Sequence, residues 1–354
     1  MMVSDFELEN ITDERMARLA LSYAVPVQNE LTQYFLSHGG AVRALRIAAD
    51  EEAAPGVNPK RVGMWLQYFE NYDPATVARG FDLAQEHDLQ MLIPGYQDWP
   101  TGIPTFGDLA PYALWVKGAR PELLTREITE RATITGARAA SGRGMYDADQ
   151  LAVGLALRDV TVVATSAPGI ARAALTGAVG GPSGAIAVMP HGLDDPNAHT
   201  PNGFFDSVAE NGMLLSETPP GWPEARDTML GQRRLIASLS AVTTVVESGT
   251  RGEPVTAALI AKSLNRVIGA VEGPEDAAGS LGPNMLLDQH EATPITDSVS
   301  IVHALSTYAR KHSLPDPVSD RPNGSLQTAR TALPEHLQRT SLSADVEQRP
   351  TRSP

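Results

Sequence analysis

Four arginines carry the chemistry that this chain can be read for: Arg138, Arg233, Arg234 and Arg251. A guanidinium makes charge-assisted, often bidentate hydrogen bonds to phosphate oxygens, so the chemistry is anion binding. Arg138 closes the turn Thr135-Gly136-Ala137-Arg138, and Arg251 lies in Glu247-Ser248-Gly249-Thr250-Arg251-Gly252. Similar turns occur at Ala164-Thr165-Ser166-Ala167-Pro168-Gly169, His191-Gly192-Leu193-Asp194 and Glu217-Thr218-Pro219-Pro220-Gly221. Small and hydroxyl residues beside glycine let the backbone come close to a phosphate. Arg233 and Arg234, in GQRRLIASLS, are placed by the pattern at the start of a helix. There two cations oppose the positive end of the helix dipole, a cost that an anion nearby would offset. The plainer reading is that tight turns need glycine anyway and that a lone arginine pairs with a neighbouring carboxylate. Four arginines at one end of a sheet favour the phosphate.

Other chemistry has less support. His191, Asp194, Asp195 and His199 lie close in sequence, but their spacing fits no metal template. Ser166 is not in a G-x-S-x-G elbow, so a hydrolase triad is not expected. Neither G-x-G-x-x-G nor a Walker lysine loop is present, which disfavours a dehydrogenase or a P-loop ATPase. No catalytic residue, metal or cofactor is expected.

The elements that position these turns follow from the hydrophobic pattern. From residue 131 onward, apolar runs (ATITGAR, VTVVATS, GAIAVMPHG, MLLSETPP, AVTTVVES, VIGAVEG) alternate with helix-length segments. Strands apolar throughout and separated by helices imply a parallel sheet covered on both faces. The expected fold is therefore α/β, a Rossmann-like core over residues 131–291. Residues 1–88 read as a small helical domain; in it YDPATVARGFDLAQEHD offers Asp73 as N-cap and Pro74 as first helical residue. The helix in NITDERMARLALSY takes Asn10 or Thr12 as its cap. Residues 89–130 form a transitional segment in which LQMLIPG and YALWVKG read as strands. A last helix covers 295–312, within a segment 292–312, and 313–354 is a polar, Pro-rich tail expected to be disordered.

Composition sets the outer bounds. The chain has 354 residues, no cysteine, and 28 basic against 42 acidic residues, a net charge of −14. No disulfide, thiolate metal site or cysteine nucleophile is possible without cysteine. The acidic start MMVSDFELEN is no signal peptide and no run is long enough to span a bilayer, so a cytoplasmic chain is expected. An acidic protein is a poor general coat for nucleic acid, yet net charge does not locate patches.

The motifs LLSETPPG and RRLIASLSAVTTVVE, with ITGAR, VVATSAPGI, AIAVMPHGLD, RVIGAVEG and LGPNMLL in the same order, resemble the DNA-processing protein A (DprA/Smf) family. The resemblance runs from about residue 89 to 291. It implies an extended Rossmann core and a non-enzymatic, dimeric protein that binds single-stranded DNA through a positive pocket. It further implies a role in DNA uptake and recombination, protecting the strand and helping to load a RecA-type recombinase. By position, Gly136 and Arg138 match the family's "GxR", Gly169 the second glycine of "SGxAxGID", Arg234 the last arginine of "RNR" and Asn284 the asparagine of "GTNR". Thr250 and Arg251 lie in a loop one residue shorter than the family's "SGSLITA". Gln232 and Arg233 replace the first two residues of "RNR", Thr165 a glycine, Ala171 an aspartate, Gly184 a lysine and Met285 an arginine. Gly184 and Met285 thus imply two lost cations, with Arg233 restoring one. The resulting DNA/phosphate-binding set is Gly136, Arg138, Gly169, Arg233, Arg234, Thr250, Arg251 and Asn284. Two alternatives stay open. One is a nucleotide-binding or phosphoribohydrolase-like enzyme, whose "PGGxGTxxE" signature is partly matched by Gly249, Thr250 and Glu253. The other is a degenerate paralogue that keeps the fold without the DNA.

Overall fold

The computed structural model of the chain describes residues 2–50, 52–104, 110–197, 200 and 203–313. His199 and the tail beyond Ser313 lie outside the described residues. The alternating half folds as expected, with nine strands in one sheet between two helical layers. The strands are β1 (Gln90–Leu92), β2 (Leu114–Lys117), β3 (Arg131–Thr135), β4 (Thr161–Thr165), β5 (Ala185–Val188), β6 (Met213–Ser216), β7 (Val242–Val245), β8 (Val267–Ala270) and β9 (Thr293–Pro294). Their order across the sheet is β1-β2-β6-β5-β4-β3-β7-β8-β9. From β6 to β9 every pairing is parallel. The two strands read from the transitional segment, β1 and β2, extend this sheet at its β6 edge in antiparallel register.

The helices α1 (Glu14–Ala24), α2 (Glu30–Ala48), α3 (Pro59–Leu66) and α4 (Pro74–Glu86) form the N-terminal bundle. Asp73 caps α4 by accepting from Ala75 and Thr76, with Pro74 at the first helical position as expected. The cap of α1 is Asp13, not Asn10 or Thr12. Residues 8–10 are taken up in a 3₁₀ turn, which leaves the Asp13 carboxylate facing the amides of Arg15 and Met16.

The remaining helices are α5 (Glu122–Thr125), α6 (Gly142–Ala156), α7 (Ile170–Val179), α8 (Phe204–Asn211), α9 (Arg226–Ser238), α10 (Glu253–Ser263), α11 (Leu281–Asp288) and α12 (Ser298–Ser313). Successive residues of a strand face opposite sides. Val162 and Ala164 of β4 accordingly enter the cluster built with α6, α7, α8 and α12, while Val163 enters the one built with α5, α9 and α10. One element departs from the sequence expectation: the segment 295–312 yields its first three residues to a loop after β9. LGPNMLL forms the short helix α11.

The far end of β3 is fixed by a buried cation. Arg131 has no exposed surface and donates to the carbonyls of Leu123 (3.1 Å), Leu124 (2.7 Å) and Thr101 (2.6 Å). Among the described residues no carboxylate lies within ion-pair distance, and burial pulls its pKa down to about 10. Backbone dipoles hold the charge in place of a counter-ion. Each acceptor left unpaired in a buried site costs about 1–3 kcal/mol. Arg131→Met, which keeps the volume and removes the donors, should therefore lower unfolding stability by more than about 3 kcal/mol in urea titration. A loss below about 1 kcal/mol would mean that packing alone matters there.

Candidate nucleic-acid interface

The chain lays down β3, β4, β5 and β6 outward in one direction, then returns to place β7 against the other side of β3. At such a reversal the loops beyond the strand ends diverge and leave a crevice. The turns that flank it carry Arg138 after β3 and Thr250 and Arg251 after β7. All three are solvent-accessible, and the Arg138 side chain is 46% exposed.

Three carboxylates organise this rim. Glu253, the first residue of α10, lies 4.0 Å from the Arg138 guanidinium and pairs at close range with Arg233. It therefore joins the turn after β3 to α9. Glu247 accepts from the backbone amide of Ser141 at 2.9 Å and from its hydroxyl. That places a carboxylate over the start of α6, the position from which a helix of this fold ordinarily holds a phosphate. Glu217 forms a buried ion pair with Arg234, the two side chains being 5% and 1% exposed.

Arg233 and Arg234 do not start a helix. The helix α9 begins at Arg226, two turns earlier, so the dipole argument made for a helix start does not apply to them. Consecutive helical residues diverge by about 100°. One guanidinium consequently reaches Glu253 at the rim, and the other points into the protein at Glu217. Gly231 makes the second arrangement possible, since a Cβ there would fall 1.4 Å from a Glu217 carboxylate oxygen.

The other residues singled out from the sequence separate into two groups. Gly136 packs against Ile170, and Gly169, at φ 77°, lets its loop touch the carbonyls of Ala137 and Arg138. These two glycines join the turns after β3 and β4 to each other; Ile170 also donates to the Ala137 carbonyl at 3.2 Å. Asn284 is engaged by the backbone of Gly273, accepting at 3.1 Å and donating at 2.9 Å. Gln232 donates to the Val188 carbonyl and pins the end of β5. Ala171 is buried in the core, and Met285 packs against the cluster under α10 and α11. Gly184 precedes β5, at the opposite end of the sheet from Arg138. A cation missing there takes nothing from this rim, which corrects the inference of two lost contacts. His191 bonds its own Gly192 carbonyl and Asp194 accepts from Gly221, and no group of three metal-ligating side chains occurs among the described residues. Among the same residues, no helix is long and apolar enough to cross a membrane. What the sequence reading missed is the acidic half of the rim. Glu217 and Glu247 stand in the turns after β6 and β7 and Glu253 opens α10, but spacing carries no signal for which partner each one meets.

The family model for DNA recombination-mediator protein A matches residues 90–306. The putative DNA processing protein DprA of Mycobacterium tuberculosis is 36% identical over 193 residues, covering 54% of this chain and 49% of the relative. The Smf protein of a Synechocystis strain is 25% identical over 258 residues, 71% of this chain and 62% of its own. The chain thus spans about half to three fifths of the curated relatives it matches. The X-ray structure of DNA processing protein A from Streptococcus pneumoniae superposes with a TM-score of 0.65 at 22% identity, over 83% of this chain and 98% of that one. The Helicobacter pylori protein, described for its unique single-stranded DNA binding mode, gives a TM-score of 0.53 at 21% identity, over 63% and 96%. At these identities the two structures bear on fold.

Breaking a buried ion pair from one side costs about 3–5 kcal/mol, because the remaining charge stays desolvated. Arg234→Ala and Glu217→Ala should each lower unfolding stability by about that amount, whereas Arg234→Leu combined with Glu217→Leu should recover most of it. Thermal and urea unfolding of the four proteins would show this. Equal losses in single and double variants would remove the pair's role.

Proposed function

The chain belongs to the DNA recombination-mediator protein A family, and on that footing we propose that it binds single-stranded DNA along the carboxyl ends of its parallel strands. One observation carries the reading: Arg138 and Arg251 stand accessible on the two turns that flank the reversal of the sheet, with Arg233 beside them. Phosphates of a strand would meet Arg251 directly, and Arg138 in competition with its long 4.0 Å contact to Glu253. To reach Arg233 they must displace Glu253. Arg234 contributes by fixing α9 and the turn after β6, not by touching phosphate, and Gly136, Gly169 and Asn284 hold the turns in shape. Protection of the strand, homodimerisation and delivery to a RecA-type recombinase belong to the same proposal, carried by family membership, as do a cytoplasmic setting and a role in transformation. Binding, not bond cleavage, is the activity proposed.

The enzyme alternative finds little support at this rim. The start of α6 is taken by Glu247, and Glu253, the residue that would answer the glutamate of "PGGxGTxxE", is held between two guanidinium groups. The degenerate-paralogue alternative differs from the proposal only in affinity.

On single strands each phosphate contact contributes about 0.7 to the slope of log affinity against log salt. Titrations of a labelled oligothymidylate across a salt series should give a clear slope for the wild type. Arg251→Ala should reduce it by about 0.7, and Arg138→Ala, whose phosphate exchanges with Glu253, by less than that. Glu253→Gln releases both arginines and should tighten binding about two- to fivefold, the scale of a partly exposed ion pair. A salt-independent affinity, or Arg138→Ala and Arg251→Ala both indistinguishable from wild type, would leave the paralogue reading in place.

A further inference from the structure

Three of the four tryptophans are buried (Trp65, Trp99 and Trp115), but the Trp222 residue is 41% exposed. It lies on the turn after β6, and β6 runs parallel to β5, so it shares a rim with Arg138 and Arg251. Adjacent strands are about 4.8 Å apart, which puts the turn after β6 about 14 Å along the rim from the turn after β3.

The turn that carries the indole is held from several sides. Pro219, Pro220, Gly221 and Trp222 close a turn through a 3.2 Å bond from the Trp222 amide to the Pro219 carbonyl, with Gly221 at φ 79°. Proline second and a left-handed glycine third are the signature of a type II turn. The Trp222 carbonyl accepts from Gly192 at 3.0 Å, and the Gly221 amide donates to the Asp194 carboxylate at 2.9 Å. From α1, Tyr23 donates to the Pro220 carbonyl at 2.7 Å and sets its ring 6.1 Å from the indole. Burial and the nearby Asp194 carboxylate raise the Tyr23 pKa, which keeps the phenol a donor.

Asp194 and the exposed Glu224 lie beside this turn, whereas the accessible cations Arg138 and Arg251 lie farther along the rim, accompanied by Glu247 and Glu253. What the indole adds at this end is an aromatic face. Every base offers a π-face, and indole stacking on unpaired bases is sequence-tolerant. Bases inside a duplex are already stacked and cannot reach it.

Resting on the DNA reading above, we propose that Trp222 is a base-stacking subsite for an unpaired nucleobase of a strand whose backbone is gripped at Arg138 and Arg251. It favours single strands over duplex and sets a polarity along the rim, phosphates at β3 and β7, a base at β6.

The test uses the full chain, with binding followed by anisotropy of an end-labelled oligothymidylate and stacking by intrinsic fluorescence. Binding should quench the exposed indole, and Trp222→Phe should abolish that quenching while retaining most of the affinity. Trp222→Ala should weaken binding about tenfold with an unchanged salt slope. An abasic strand of equal phosphate count should bind wild type and Trp222→Ala alike and quench neither. If the oligothymidylate binds but wild type is not quenched and Trp222→Ala binds equally well, the subsite is overturned and the DNA reading stands. If no strand binds wild type, the DNA reading itself fails. A Trp222→Ala protein that changes from dimer to monomer in sedimentation would overturn the subsite by assigning the indole to a contact between copies.

Discussion

Seven adjacent parallel strands place the turns that follow them on one rim, and the reversal between β3 and β7 opens that rim at a single place. Everything proposed for this protein depends on that constraint. The parallel sheet in turn depends on burial of both faces, which is why β3 to β7, Arg131 apart, are apolar or hydroxyl-bearing and sealed by helices on each side. Arg131 secures the opposite end through backbone carbonyls, and the Arg234–Glu217 pair secures the rim from beneath. The surface available to a ligand is therefore framed by groups that no ligand touches.

An acidic chain proposed to bind an anionic polymer has to ration its cations. Here the arginines are graded by depth. Arg234 is buried and neutralised, Arg233 is mostly covered and shares Glu253, and Arg138 and Arg251 face solvent. The gradation follows from helix and turn geometry, since neighbours on α9 must diverge and turn residues need not. Glu253 couples two of these groups, so binding a phosphate there amounts to an exchange of one anion for another. Such exchange gives less net affinity than a bare arginine and a weaker response to salt. Glu247 plays a different part: it occupies the helix start where phosphate often binds in this architecture, and so would leave the outer turns to a strand in the proposed complex.

The proposed Trp222 subsite adds an aromatic contact at the β6 end of the same rim. Its turn is tied to the N-terminal bundle through Tyr23, which gives those helices a part in the site beyond their own packing. The bundle and the sheet share core contacts as well, Phe6, Leu19 and Val77 joining the cluster under β3 and β4.

Much of this was legible in the residues. Runs such as TVVAT and AIAV, alternating with helix-length segments, specify a covered parallel sheet because a strand with two apolar faces has no other stable place. The cap at Asp73 was legible for a similar local reason, a carboxylate one residue ahead of a proline. The turns that carry the candidate site were also readable, since only residues after strands can reach the rim. What each arginine does there was not. Arg233 and Arg234 are adjacent in sequence and identical in chemistry, yet one reaches the rim and the other is sealed inside. That difference is set by where α9 begins and by carboxylates 17 and 20 residues away, which only the packed structure brings within reach. Local pattern fixes elements because it acts through neighbours along the chain; charge pairing acts through space, and so waits for the fold.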